Sequence, residues 1–394
     1  MTKKQNTKKR SKKGTSWLIS SLTLLVALGA GGYSAYHYLY KNKTNTQKTN
    51  SSESQVPNPT TVNGKLALDP NKIRLMNWNI LNFGGNNDSK VLLPKINNIA
   101  KAILYSNSSV VGFTEINYIN PKDRKTNVVE SLENLQKLLG ENWKFIYSDD
   151  AVNPKMPNSK ENYAIFYDSS IIKYEDYKEN ITKDNLYARA PFLAKFSVKE
   201  NNYQFYYAIA HFDAPGVNTN NGETKDSVYT ENGTQEIKEA KEVYEYIFKP
   251  KMNDNIDIIF AGDTNLKAKA NEIFESFSKY GIQDAYVDFK NRLNDAWYNT
   301  SLSVTDAQGN YKRKYANPYD KWLFFDANDT NITVNGNAPY KIDIVGLYNE
   351  GIWNKREDIK IWKQNNIKFK DETDLTLARK VSDHAPIILD IKYK

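Results

Sequence analysis

The chain has 394 residues, is 13% aromatic and 25% charged, and contains no cysteine, which excludes disulfides, thiolate metal sites, a cysteine nucleophile and an acylated N-terminal cysteine as a lipid anchor. Its formal charge of +8 is unevenly spread: residues 1–53 carry +9, which leaves residues 54–394 at −1. Bulk charge therefore gives no argument for a nucleic-acid-binding face on the globular part, and any polyanion there would have to be held by a few placed cations or a metal.

Residues 1–16 form a basic tail with seven cations and no acid. The next 24 residues, 17–40, carry no charge, enough to cross a bilayer as a helix. The basic tail predicts an anchor with the tail inside and the remainder outside the cell. A cleaved signal peptide, with Ala27-Leu28-Gly29 before Ala30 as the cleavage site, is the alternative and would give a secreted protein. Residues 41–70, rich in Thr, Asn, Ser and Pro, read as an extended tether. Residues 71–394 then read as mixed α/β. Strands are predicted at 72–81, 109–113, 143–147, 163–167, 191–198, 203–212, 257–261, 342–348 and 387–391. Helical periodicity marks 90–105, 128–139 and 236–248. Residues 215–234 read as a loop and 291–340 as irregular and polar. Many strands with few helices predict two packed sheets with helices outside.

The chain has three histidines. His37 lies in the apolar run, whereas His211 and His384 sit beside aspartates, in His211-Phe212-Asp213 and Asp383-His384. Polar residues with catalytic chemistry recur at the ends of apolar strands: Asn79, Glu115, His211, Asp263 with Asn265, and Asp383 with His384. Singly, each has an ordinary reading as a turn residue, a solvated strand end or a satisfied core histidine. Together they offer carboxylates and an amide for a hard cation plus two imidazoles, a set suited to metal-assisted attack of water on a phosphoester.

In this order the residues resemble the endonuclease/exonuclease/phosphatase superfamily, and its pancreatic-type deoxyribonuclease branch in particular. The resemblance covers about residues 72–394. It rests on Asn-Trp-Asn-Ile-Leu-Asn-Phe-Gly (77–84), Ser-Lys-Glu-Asn-Tyr-Ala-Ile-Phe (159–166), Arg189-Ala190-Pro191, His211-Phe212-Asp213-Ala214-Pro215-Gly216, Gly262-Asp263-Thr264-Asn265 and Ser382-Asp383-His384-Ala385-Pro386. With the apolar N-terminal run and the lack of cysteine, the chain is similar to the surface membrane nucleases of mollicutes.

The resemblance implies a four-layer α/β sandwich with two central, mainly antiparallel sheets. It also implies roles. Glu115, Asn79 and Asp383 would hold a divalent cation, Mg²⁺ first, with Ca²⁺ and Mn²⁺ as alternatives. His211, oriented by Glu161, and His384, oriented by an aspartate, would act as general acid and base. Asp320, in the triplet Tyr319-Asp320-Lys321, is the favoured partner of His384, with Asp343 the alternative. Asp263 and Asn265 would position water and stabilise the transition state, and Arg189, Asn79 and Asn265 would contact the phosphate. Thr264 stands where the family often has phenylalanine. The expected substrate is DNA, with RNA a further candidate. The membrane is contacted through the N-terminal helix, no protein partner is expected, and the chain is expected to be a monomer. Within the same fold, a sphingomyelinase or phosphoinositide phosphatase is the alternative, and a non-catalytic surface adhesin a further one.

Overall fold

The strand Lys72–Phe83 sets the geometry. Side chains on a strand alternate between faces. Ile73 and Leu75 enter one apolar cluster, whereas Met76, Trp78, Ile80 and Phe83 enter another. The strand is thus buried on both sides, and by the same alternation Asn77 and Asn79 share the face of Ile73 and Leu75.

The computed structural model describes residues 60–84, 92–120, 127–150, 152–219, 222–285, 298–303, 315–327, 332–333 and 340–393. The expected basic tail (1–16), membrane span (17–40) and most of the tether (41–70) lie outside these residues. Among the described residues, no helix is long and apolar enough to cross a membrane. In chain order the strands are β1 Thr61–Val62, β2 Lys65–Leu66, β3 Lys72–Phe83, β4 Val110–Ile116, β5 Trp143–Tyr147, β6 Asn162–Asp168, β7 Ile172–Asn180, β8 Phe192–Val198, β9 Tyr203–His211, β10 Asp257–Asp263, β11 Ile282–Asp284, β12 Ser301–Leu302, β13 Tyr315–Asn317, β14 Asp320–Phe325, β15 Ile332–Thr333 and β16 Ile387–Lys392. The α-helices are α1 Leu92–Ser106, α2 Asn127–Leu139, α3 Thr234–Lys241, α4 Glu272–Glu275, α5 Gly346–Asn349, α6 Lys355–Gln364 and α7 Asp374–Val381.

Two six-stranded sheets result, in the orders β15-β16-β3-β4-β6-β5 and β11-β14-β10-β9-β8-β7. Each is antiparallel except for one parallel pair, β3 with β4 and β9 with β10. One apolar layer lies between the sheets, built from Leu75, Ile165, Phe196, Tyr207, Ile209, Trp322 and Leu389 among others. A second packs α1, α2, α6 and α7 on the outer face of the first sheet. A third packs α3, α4 and neighbouring turns on the outer face of the second. Three apolar layers separate four layers of structure, as expected for an α/β sandwich.

The sheets meet closely at Gly112. A Cβ there would lie 2.6 Å from the Tyr207 hydroxyl of the facing sheet. That hydroxyl donates to Met76 O at 3.0 Å and accepts from Asn77 Nδ2 at 3.2 Å. The contact fixes one sheet against the other in a region where an unpaired polar group would be costly.

Several elements depart from the expected ones. Residues 342–348 do not form a strand. Asp343 Oδ1 accepts from Val345 N at 3.1 Å, and the short helix Gly346–Asn349 follows. β14 arises within the segment read as irregular, where it pairs with β10 and β11; Asp320 and Lys321 at its start are fully buried despite their charge. The 236–248 helix begins at Thr234, ends at Lys241, and gives way to a π turn, Tyr244–Phe248. Two unexpected helices are capped by side chains: Asn354 accepts from Glu357 N, and Thr373 from Thr376 N.

Candidate active site

Alternation along the strands gathers the polar residues at one end of the space between the sheets. On β9, Phe205, Tyr207 and Ile209 face that space, so His211 does too; on β10, Ile259 and Ala261 precede Asp263; on β14, Trp322 and Phe324 follow Asp320. Register then sets them side by side, since Asp263 pairs with His211 on one flank and with Asp320 on the other. The opposite sheet contributes Asn79 at the end of β3 and His384 just before β16. At the end of β4 the register shifts, and Glu115 adopts a left-handed φ of 60°. Such a backbone turn re-aims a side chain from its regular strand direction.

Both imidazoles are oriented through Nδ1. His211 Nδ1 lies 2.8 Å from Glu161 Oε1, and His384 Nδ1 lies 2.7 Å from Asp320 Oδ2. A carboxylate can only accept, so each ring carries its hydrogen on Nδ1 and turns Nε2 inward. Both Nε2 atoms face the same oxygen, Asp263 Oδ2, at 3.7 Å from His211 and 3.5 Å from His384. These separations exceed hydrogen-bond length, so Asp263 attracts both rings by charge and leaves each Nε2 available to a further group. Asp263 is itself fixed: Asn79 Nδ2 donates to Oδ2 at 2.9 Å, and Asn265 N donates to Oδ1 at 3.0 Å.

Electrostatics follow from burial and neighbours. Burial alone would raise Asp263, but the two imidazoles and the Asn79 amide hold it below the usual carboxylate range. Burial would likewise raise Glu161, yet His211 and Arg189 hold it down. Burial and the Arg189 charge oppose protonation of His211, and Glu161 with Asp263 outweighs them, so it titrates above an ordinary histidine. For His384, burial is overcome by Asp263 and Asp320, which raise it to about 10. Burial lifts Asp320 against the pull of His384. The shared proton of that pair belongs on the imidazole, whose Nδ1 donates to Asp320 Oδ2.

The donor set fits a hard divalent cation on two observations. Asn79 Nδ2 also donates to Glu115 Oε1 at 2.9 Å, and Asn82 N donates to Glu115 Oε2 at 3.0 Å, so this carboxylate is aimed and stays acceptor-rich. Asp383 Oδ1 is buried with no hydrogen-bond partner among the described residues. Glu115 and Asp383 are hard oxygen ligands of the kind Mg²⁺ prefers. Asn79 serves here as a bridge between Glu115 and Asp263, with its Oδ1 accepting from Leu81 N at 3.1 Å. Asp263, Asp320 and His384 also present ligand atoms within 4.8 Å of one another. Asp320 Oδ2 is committed to His384, however, and this trio is a hydrogen-bonded relay rather than a metal cage.

Other expected residues are placed as follows. Arg189 is mostly buried: its Nε lies 3.1 Å from Glu161 Oε2 and its Nη1 donates to Phe212 O at 2.7 Å, so it backs Glu161. Asn265 has a left-handed φ of 53° and its Nδ2 donates to Phe212 O at 3.3 Å. Asp343 accepts from the Tyr315 hydroxyl at 2.9 Å, and it is Asp320 that faces His384. Thr264 is fully buried and both its N and its Oγ1 donate to Tyr319 O at 2.8 Å.

Sequence reasoning missed several supporting residues. Ser382 Oγ donates to Asn79 O at 2.6 Å and accepts from His384 N at 2.9 Å, tying Asn79 to His384. Trp78 Nε1 donates to His384 O at 2.7 Å. Thr300 Oγ1 accepts from Asp320 N at 3.1 Å, and the Tyr319 ring stacks beside His384 at 6.1 Å. Of these, Ser382, Trp78 and Tyr319 lie within motifs that the sequence offered. Thr300 comes from a polar stretch with no signal.

Comparison with known proteins gives three findings. No family model matches the chain. An uncharacterized protein of Mycoplasma pneumoniae is 30% identical over 203 residues, which cover 51% of this chain and 37% of that protein, so the match spans about a third of the relative's length. Among solved structures, the chain is similar to an endonuclease/exonuclease/phosphatase family protein from Bacteroides thetaiotaomicron (13% identity, 81% of this chain, 97% of that one, TM-score 0.47). It is also similar to D. rerio TDP2 complexed with a single-strand DNA product (14%, 81% and 98%, TM-score 0.47) and to the human Nocturnin catalytic domain (14%, 82% and 95%, TM-score 0.45).

Proposed function

We propose that this chain is a divalent-metal-dependent phosphodiesterase that hydrolyses nucleic acid, DNA in the first place and RNA as a second substrate. The observation that carries the reading is the convergence of two carboxylate-oriented imidazoles on one buried carboxylate, with their Nε2 atoms 3.7 and 3.5 Å from Asp263 Oδ2. Two opposed imidazoles allow one to take a proton from attacking water while the other gives one to the leaving oxygen. Asp263 and Asn265 would position that water, and Glu115 with Asp383 would hold the cation. A bound Mg²⁺ would supply charge stabilisation for the developing phosphorane-like transition state. The uncharged run 17–40 supports a further reading, anchorage in the membrane with the catalytic part outside the cell.

A substrate panel tests the class. Purified protein with Mg²⁺ is expected to cleave plasmid DNA and to leave sphingomyelin vesicles and phosphoinositides intact. Release of phosphocholine or inorganic phosphate from the lipids, with DNA untouched, would transfer the same site to a lipid substrate. No hydrolysis of any of them would leave a binding-only surface protein.

A further inference from the structure

Behind the His211 side of the site, α3 carries a buried carboxylate at one remove from the imidazole. Glu239 is fully buried. Its Oε1 accepts from Ala188 N at 2.5 Å and from Gln235 Nε2 at 2.8 Å, and its Oε2 accepts from Asp213 N at 2.8 Å. The two backbone donors come from different segments: Ala188 precedes Arg189, and Asp213 lies two residues beyond His211, the last residue of β9. Arg189 ties the same two segments a second time, since its Nη1 donates to Phe212 O at 2.7 Å. Its Nε lies 3.1 Å from Glu161 Oε2, and Glu161 Oε1 holds His211 Nδ1 at 2.8 Å. A chain of contacts thus runs from Glu239 through the Arg189 turn to Glu161 and His211.

The three donors need the ionised carboxyl. A carboxylate only accepts, whereas a carboxylic acid turns one oxygen into a donor. Oε2, with one donor against two on Oε1, is the easier oxygen to protonate, so Asp213 N is the link given up. A buried N–H left without a partner is costly. The ionisable groups that face Glu239 are Arg189 and Asp213 on the two tied segments, Tyr187 beside Ala188, and Tyr163 on β6. Arg189 favours the charge on Glu239 and Asp213 opposes it. Burial holds both phenols neutral, well above their usual range. Burial is also the largest influence on Glu239, and it lifts the carboxyl to about 7 against the pull of the three donors.

We propose that Glu239 is a positioning residue for the His211–Glu161 pair: ionised, it locks the Arg189 turn to the end of β9 and keeps Glu161 on His211 Nδ1, and protonated it frees the strand end. The consequence for hydrolysis rests on the function proposed above; the latch itself does not. Order at His211 thereby becomes sensitive to pH near neutrality. His384 is served by no such latch, because its partner Asp320 sits on β14 with its N bound to Thr300 Oγ1. The ionised form is the one that burial penalises, so the fold gives up stability to hold the geometry of the pair. A scaffold role alone would fix the two segments without any response of the ring to the charge on Glu239.

The test reads the imidazole protons directly, with neither substrate nor metal present. Full-length protein is labelled with ¹⁵N-histidine, its three histidines are assigned by single substitutions, and the Nδ1–H signals are followed by NMR as pH falls through 7. In wild type, exchange of the His211 Nδ1–H proton relative to that of His384 is expected to quicken by about tenfold or more on the acid side, through local opening. Glu239→Gln is expected to show the fast exchange at His211 on both sides of pH 7, with His384 unaffected. Whatever titration of the ring itself adds is present in both proteins, which isolates the part due to Glu239. Gln235→Leu keeps the carboxyl but removes one donor that favours its ionised form, so the change should move to higher pH. Identical His211 signals in wild type and Glu239→Gln at every pH would overturn the proposal. Should Glu239→Gln not fold, an unmoved midpoint in Gln235→Leu would overturn it instead. Wild type that leaves plasmid intact while its His211 signals behave as expected would remove the proposed function and keep the latch. Hydrolysis with a His211 ring indifferent to Glu239 would remove the latch alone.

Discussion

His211 and His384 each face one carboxylate through Nδ1 and share Asp263 through Nε2, but what stands behind the carboxylate differs. Behind Glu161 lies the Arg189 guanidinium, 3.1 Å away. Asp320 is fully buried, and its Oδ1 has no hydrogen-bond partner among the described residues. Glu161 is therefore kept ionised by two cations, His211 and Arg189, and the guanidinium works against a proton on His211. Asp320 relies on His384, which in turn answers to two carboxylates and holds its proton to about pH 10. In the proposed hydrolysis, this asymmetry suits His384 to give a proton to the leaving oxygen and His211 to accept one from water. Two similar hydrogen bonds thus differ in the charge one layer further out, which in the proposed hydrolysis would give the two rings opposite tasks.

The largest effect should come from removing either ring. His384→Ala and His211→Ala are each expected to lower the hydrolysis rate by roughly 10²–10⁴-fold, the usual span for a general acid or base. Circular dichroism should stay unchanged. Loss of folding instead would make these histidines core residues.

Next comes the carboxylate behind His384. Asp320→Asn is expected to lose about 10²-fold or more, because an amide cannot enforce the Nδ1–H tautomer. Asp343→Asn, whose carboxylate serves Tyr315 and Val345 N instead, should leave the rate nearly unchanged. Comparable losses in the two variants would break the assignment of Asp320.

Arg189 sharpens the contrast between the pairs. Arg189→Met leaves Glu161 buried with one cation fewer, which is expected to cost about 3 kcal/mol in urea unfolding, the lower end for breaking a buried ion pair. The pH–rate limb assigned to His211 should move up in pH, and that of His384 should stay in place. Movement of both limbs would mean that the pairs are not separately backed.

The smallest effect concerns the scaffold behind the His211 side. Glu239 on α3 accepts from Ala188 N, Asp213 N and Gln235 Nε2, so it ties together the two loops that flank His211. Burial raises its carboxyl from 4.5 to about 7. The folded state then holds the proton more tightly than the unfolded state. This contribution to stability is complete below pH 4.5 and is lost as pH rises through 7. The change amounts to about 3 kcal/mol over that window. Glu239→Gln should flatten this slope in denaturant titrations at successive pH values, and an unaltered slope would show that Glu239 is not the group responsible.

The same contrast explains how much was legible in the sequence. Asn79, His211, Asp263 and His384 stood out because an apolar strand with period-two burial delivers a polar end residue to a fixed place. Glu115 was found although its backbone leaves the strand conformation, since the apolar run before it is unbroken. β14 was hidden because its first two residues are charged yet fully buried, and hydrophobicity alone cannot recognise a buried Asp–Lys pair. The run at 342–348 misled for the opposite reason: it is apolar, but Asp343 and Gly346 turn it into a short helix. Arg189 was expected to contact the phosphate, and only the fold shows that Glu161 takes up its Nε. The buried acids of α3, Glu236 and Glu239, gave no signal at all, since on a helix that also carries Lys238 and Lys241 they read as solvated charges.

The most direct measurement is digestion of supercoiled plasmid by the purified protein with Mg²⁺, Ca²⁺, both, or EDTA, beside His384→Ala under the same conditions. The account predicts metal-dependent nicking by wild type, abolished by EDTA and reduced by roughly 10²-fold or more in the variant. Plasmid left intact by wild type in every metal, or cleaved equally by His384→Ala, would contradict it.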